Sequence, residues 1–138
     1  MKVALHKLIV FDENYVPGTL LDLVVPSVES STGGCDLREL FSSNDDPTLK
    51  TYLTFYLRDE SNTMPIGGGA LSPKAGVDLV TPVPIDNFNQ LITRFSNSVD
   101  DNGNKLLTIE PGWKLQCSLN NSVGVGHRVF VAALGGVY

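Results

Sequence analysis

Thr51-Tyr52-Leu53-Thr54-Phe55-Tyr56-Leu57-Arg58 places an apolar side chain at every second position. A strand turns successive side chains to opposite faces, so Leu53, Phe55 and Leu57 share a core-facing side and Tyr52, Thr54, Tyr56 and Arg58 share the other. The same period of two runs through the rest of the chain. Trp113, Leu115, Cys117 and Leu119 alternate with Lys114, Gln116 and Ser118. Val129, Val131 and Ala133 alternate with Arg128, Phe130 and Ala132. Cys35, Leu37 and Phe41 alternate with Asp36, Arg38 and Ser42, with Glu39 interrupting the apolar side.

Turn-forming residues separate these runs: Pro17-Gly18, Gly33-Gly34, Asn44-Asp45-Asp46-Pro47, Asp100-Asp101-Asn102-Gly103-Asn104, Pro111-Gly112 and Asn120-Asn121-Ser122. Gly supplies positive φ, Pro fixes φ, and Asn and Asp close turns with their own side chains. Gly67-Gly68-Gly69 reads as a flexible loop. The predicted strands are 5–11, 19–28, 35–42, 49–59, 76–84, 90–96, 105–109, 113–119 and 127–134. Cys35–Phe41 and Asp86–Phe95 also suit helix, the second with Asp86 as a cap. Pro82 and Pro84 each remove a ladder donor, which places that stretch at a sheet edge. Eight or nine short strands at this spacing predict an all-β fold: one antiparallel β-sandwich domain over residues 1–138, jelly-roll-like.

A chain of 138 residues buries roughly two thirds of its unfolded surface, enough for one core without staples or metals. Only 18% of the residues are charged, so part of the exterior is expected to lie against a partner. The ten basic residues are scattered singly in a chain of net charge −5, which argues against nucleic acid and anionic membranes as partners. No stretch has the roughly 18 apolar residues of a membrane span. At the N-terminus His6 and Lys7 interrupt the apolar run and Asp12 and Glu13 follow it, so residues 5–11 read as a first strand and not as a signal peptide. Cys35 and Cys117 allow one bridge, but buried thiols acting as small hydrophobes are the expectation.

The residues that carry chemistry form no catalytic pattern. His6 and His127 belong to no metal-ligand pair, so no metal is expected. Asp100–Asn104 has part of a calcium loop, but Gly103 comes too early and no Glu closes it; Asn102-Gly103 is a hairpin turn. No phosphate loop follows the glycine run and no nucleophile elbow exists. Asp59, Glu60, Asp78 and Glu110 sit at turns, and nothing selects a pair among them for acid–base work. The expectation is therefore a protein that is not an enzyme and needs no cofactor. Tyr52, Tyr56 and Phe130, with Leu40, fall on the outward side of their strands, and together with Tyr138 in the apolar C-terminal stretch they are the expected interface. Trp113 shares the phase of Leu115 and belongs to the core.

The order of segments Leu106-Leu107-Thr108-Ile109-Glu110-Pro111-Gly112-Trp113-Lys114-Leu115-Gln116-Cys117-Ser118-Leu119, an Asn-rich turn, and a last strand ending Gly135-Gly136-Val137-Tyr138 resembles small β-sandwich structural proteins of tailed bacteriophages. The upstream strands Asp36–Asn44 and Thr51–Leu57 fit the same order. The resemblance implies a virion protein of the capsid decoration (cement) or tail accessory type. It further implies the major capsid protein or other virion subunits as partners, and a homo-oligomer, with a trimer expected at symmetry points. The other class considered is a carbohydrate-binding or host-recognition module using Trp113 or the Tyr52/Tyr56 row as a sugar platform.

Overall fold

The computed structural model describes residues 3–27, 33–77 and 86–137. Along the chain lie β1 (Val3–Phe11), β2 (Leu21–Val24), β3 (Cys35–Asn44), β4 (Thr51–Arg58) and β5 (Thr63–Leu71). They are followed by β6 (Asp86–Asn87), α1 (Asn89–Phe95), β7 (Ser98–Val99), β8 (Lys105–Ile109), β9 (Lys114–Leu119) and β10 (Val129–Val137). A six-stranded sheet runs in the order β1-β10-β3-β8-β7, with β6 on the far half of β3; a four-stranded sheet runs β2-β9-β4-β5. The pairings are antiparallel. Apart from β4 and β5, the long strands alternate between the two sheets, and the last two insert into the middle of each. That connectivity is an eight-stranded jelly roll with two short additions, the antiparallel sandwich that the period of two predicts.

The two inner faces share one core. Leu53, Phe55, Leu115, Cys117 and Leu119 from the four-stranded sheet pack against Leu37, Leu107, Ile109, Val131 and Ala133 from the other. Both cysteines are buried thiols, one in each sheet, and burial pushes Cys117 up to about 12. The connection from β1 to β2 is strapped down by Tyr15. Its hydroxyl donates to the Thr19 carbonyl (2.5 Å) and accepts the Leu119 N–H (3.1 Å), and its ring meets Phe11 edge-on at 4.7 Å.

Four expectations are corrected. In β3, Leu134 lies opposite Glu39 but Gly135 lies opposite Leu37, so Arg38 is an extra, bulged residue. The bulge shifts the phase: Leu37 and then Leu40 point inward, and Phe41, expected in the core, turns outward half-buried. Leu40, expected on the surface, is fully buried. Second, residues 90–96 are not a strand. Phe88, Leu91, Ile92 and Phe95 recur at the spacing of one helical face, and the first three are buried, so α1 closes the sandwich between β5 and β3. Asp86 does not cap it; Asp86 lies in β6 opposite Ser42.

Third, the glycine run is not a loop but the centre of β5. Gly68 lies so close to β4 that a Cβ would sit 1.9 Å from the Leu53 carbonyl oxygen. Glycine there allows backbone contact that any side chain would prevent. Fourth, strand ends move: 19–28 shrinks to β2, 35–42 runs on to Asn44, and 127–134 becomes β10, which leaves His127 in a turn. Most of the predicted strand 76–84, with Pro82 and Pro84, lies outside the described residues, as does Tyr138; Gly76 and Val77 form a turn.

Beside the β3 bulge, a Cβ on Gly135 would stand 1.8 Å from the Asp36 carbonyl oxygen, a rigid backbone atom. At Gly69 it would stand 3.0 Å from the Phe88 ring, which can turn aside. Gly135→Ala is therefore expected to cost about 1–3 kcal/mol and Gly69→Ala distinctly less, measured by urea unfolding. Equal midpoints for the two variants would contradict this account of the bulge.

Candidate functional site

Two polar clusters and two sheet faces offer themselves for function. At one end of the sandwich the end of β3 and the following turn meet the loop before β10. Asn44 Oδ1 accepts the Asp46 N–H (3.1 Å), and Asp46 Oδ1 accepts the N–H groups of Thr48 and Leu49 (both 2.9 Å) and the Thr48 hydroxyl (3.2 Å). Asp45 Oδ1 accepts the Arg128 N–H (2.6 Å) and lies 3.4 Å from His127 Nδ1. These bonds tie a turn to a loop, with Oδ1 of each aspartate accepting backbone N–H groups. The Thr48 N–H, above all, holds the buried Asp46 carboxyl below its usual 3.8, against the opposing effect of burial; Leu49, His127 and the Thr48 hydroxyl add to it.

The second cluster closes the hairpin between β7 and β8. Asp100 Oδ1 accepts the N–H groups of Asn102 (2.9 Å) and Asn104 (2.8 Å), as turn chemistry requires. Among the described residues, no group of three or more His, Cys, Asp or Glu is arranged to hold a metal. His6 pairs with Leu134 while His127 precedes the opposite end of β10, which separates the two by about 20 Å along the strands. Asp59 Oδ1 accepts Ser61 and Asn62 N–H groups in its own turn, and these bonds lower its carboxyl. Asp78 lies outside the described residues.

The expected interface residues do not form one surface. Tyr52 and Tyr56 point outward from the four-stranded sheet, whereas Phe130 points outward from the six-stranded one, on the opposite side of the sandwich. Around the tyrosines the outer face is polar and internally bonded. Gln116 Nε2 donates to Asp22 Oδ1 (2.7 Å), Lys114 Nζ lies 3.2 Å from the same carboxylate, and the Tyr56 hydroxyl lies 3.5 Å from Ser118 Oγ. Tyr52 is 45% exposed with Lys50 Nζ over its ring at 5.4 Å. Trp113 is half-buried against the core, close to its expected place.

The outer face of the six-stranded sheet is different. Register puts Val10 beside Phe130 and Leu8 beside Ala132, which in turn lies beside Phe41; Leu134 follows one step along β10. Leu8 is 60% and Val10 42% exposed, and the others are half-buried. A groove of about 130 Å³ runs between β3 and β10, lined by Phe41, Ser42, Ser43, Phe130 and Ala132. Of this three-strand apolar band, sequence reasoning found only Phe130. The alternation of Leu8 and Val10 with Lys7 and Ile9 was a signal, but it does not say which side faces water.

No protein-family model matches the chain, nor does any curated protein. What the molecule does must therefore be argued from these surfaces.

Because Asp46 is held below its unfolded value, its contribution to stability is present above that value and is lost as pH falls through the folded one. Urea midpoints recorded from about pH 6 down to 2 should fall on the acid side, and fall less steeply in Asp46→Asn. Parallel curves for the two proteins would show that Asp46 does not carry this dependence.

Proposed function

We propose that this chain is a non-enzymatic structural subunit of a virion, decorating an assembled capsid lattice and stabilising it. The observation that carries the reading is the apolar band of Leu8, Val10, Phe41, Phe130, Ala132 and Leu134 on the outer face of the six-stranded sheet. Contiguous apolar surface of this kind costs free energy in water and is retained where a partner covers it. The jelly roll supports the reading at the level of analogy, since viral capsid domains use it, although lectins do too. The order of segments that resembles phage β-sandwich proteins supports it further.

Binding only to the assembled lattice stabilises that state by mass action, and many identical contacts per particle add by avidity. A modest patch on each copy is then sufficient. The carbohydrate reading is weaker, because Lys50 covers one side of Tyr52 and Trp113 packs on the core and offers no platform. Homo-oligomerisation, as a trimer, belongs to the same proposal.

Mass spectrometry of purified intact particles should find the chain in stoichiometric amount. Recombinant protein should rebind stripped particles, and Leu8→Asp/Phe130→Asp should bind at least about tenfold more weakly, because each buried side chain of this size contributes roughly 1.5–3 kcal/mol. Absence from particles, or undiminished binding by the folded double variant, would sink the proposal.

A further inference from the structure

β5 is the outer strand of the four-stranded sheet and, among the described residues, pairs only with β4. A strand edge carries unpaired N–H and C=O groups, and proteins usually blunt it. The first half of β5 is blunted: Pro65 has no N–H, and Ile66 is the extra residue of a bulge, since Phe55 faces Gly67 while Tyr56 faces Pro65. From Gly67 to Leu71 the pairing with β4 is regular, and among the described residues neither a proline nor a bulge interrupts the edge.

α1 lies alongside that open half. Strand and helix enclose a groove of about 290 Å³, lined by Gly67–Ala70 and by Phe88, Gln90, Leu91 and Arg94. Phe88 and Leu91 are buried and form an apolar floor, while Gln90 and Arg94 are exposed at the rim. Among the described residues of the lining, Arg94 is the one that is charged. Its guanidinium lies 5.3 Å from the Phe95 ring, and no carboxylate among the described residues pairs with it. The glycines are explained by contacts inside the protein, with Leu53 and Phe88; what marks the site, among the described residues, is a strand edge with no partner, the groove beside it and a cation with no carboxylate.

We infer that the groove between β5 and α1 accepts an extended segment of a partner protein, added to β5 as a fifth strand and carrying a carboxylate that meets Arg94. Recognition of this kind draws affinity from main-chain hydrogen bonds and specificity from contacts to alternate side chains. Five residues, Gly67–Leu71, give the segment about 17 Å of edge. The site is on the other sheet from the apolar band of the proposed function, so the two stand or fall separately.

The test uses three labelled hexapeptides of alternating valine and threonine, with glutamate, glutamine or lysine at one central position. Binding is followed by fluorescence anisotropy, and amide exchange is followed by NMR. The glutamate peptide should bind at least tenfold more tightly than the lysine peptide and slow exchange at Gly67–Leu71 amides. Arg94→Glu should reverse that order and Arg94→Lys preserve it. Three results overturn the inference: no binding by any peptide at millimolar concentration, binding that leaves those amides unprotected, or a preference unchanged in Arg94→Glu. Protection that rises with protein concentration alone would assign the edge to a second copy and overturn it as well. None of these readouts involves Leu8 or Phe130, so failure here leaves the lattice-binding reading untouched.

Discussion

The bulge at Arg38 in β3 is the constraint on which the rest of the molecule depends. One residue too many between Leu37 and Glu39 lets Cys35 and Leu37 face the core at one end of the strand, and Leu40 at the other. Without it, Leu40 would be driven to the surface and Phe41 into the core, because a slip of one residue exchanges the two faces. The bulge is possible only because β10 presents Gly135 where the β3 backbone closes in. The same phase shift turns Phe41 outward beside Ala132. The packing of Leu40 in the core and the place of Phe41 in the outer band thus have one cause.

The two exposed faces of the sandwich are chemically unequal. Over the four-stranded sheet, polar side chains bond among themselves, as Gln116 and Lys114 do with Asp22. Hydrogen bonds already engage much of this face, with Gln116 Oε1 a buried atom that has no partner among the described residues. Over the six-stranded sheet the outward residues of β1, β10 and the far half of β3 are mostly aliphatic or aromatic and have no bonds to make. A molecule with one polar face and one apolar face has a preferred orientation on any surface it meets.

The fold was legible wherever strands keep strict alternation. Leu53-Phe55-Leu57 and Leu115-Cys117-Leu119 announce their sheet without help from any other part of the chain. Legibility failed where distant contacts overrule local pattern. Glu39 was visible as an interruption, yet whether it marks a break or a bulge is decided by β10, nearly a hundred residues later in the chain. The glycine run was read for its freedom, whereas its role is close approach to Leu53, which sequence cannot display. α1 was ambiguous because Leu91, Ile92 and Phe95 suit either period until a partner surface chooses. The apolar band draws on three strands whose adjacency is purely tertiary, so only Phe130 could be named beforehand.

The insertion of β9 and β10 into the centres of their sheets has a consequence for how the molecule comes into being. β1 has no neighbour in the six-stranded sheet until β10 arrives to join it to β3, and β2 has none in the other until β9 arrives to join it to β4. By contrast, β3 meets β6 and β8, and β4 meets β5, earlier in the chain. Contacts of such long sequence separation close large loops before they return any energy, which slows folding. During synthesis β1 and β2 therefore wait unpaired, with the facing edges of β3 and β4 open, and each sheet is completed only near the end. The interval before closure is when this protein is most exposed to mispairing with its own nascent copies, and the chain's low charge gives it little repulsion with which to avoid them.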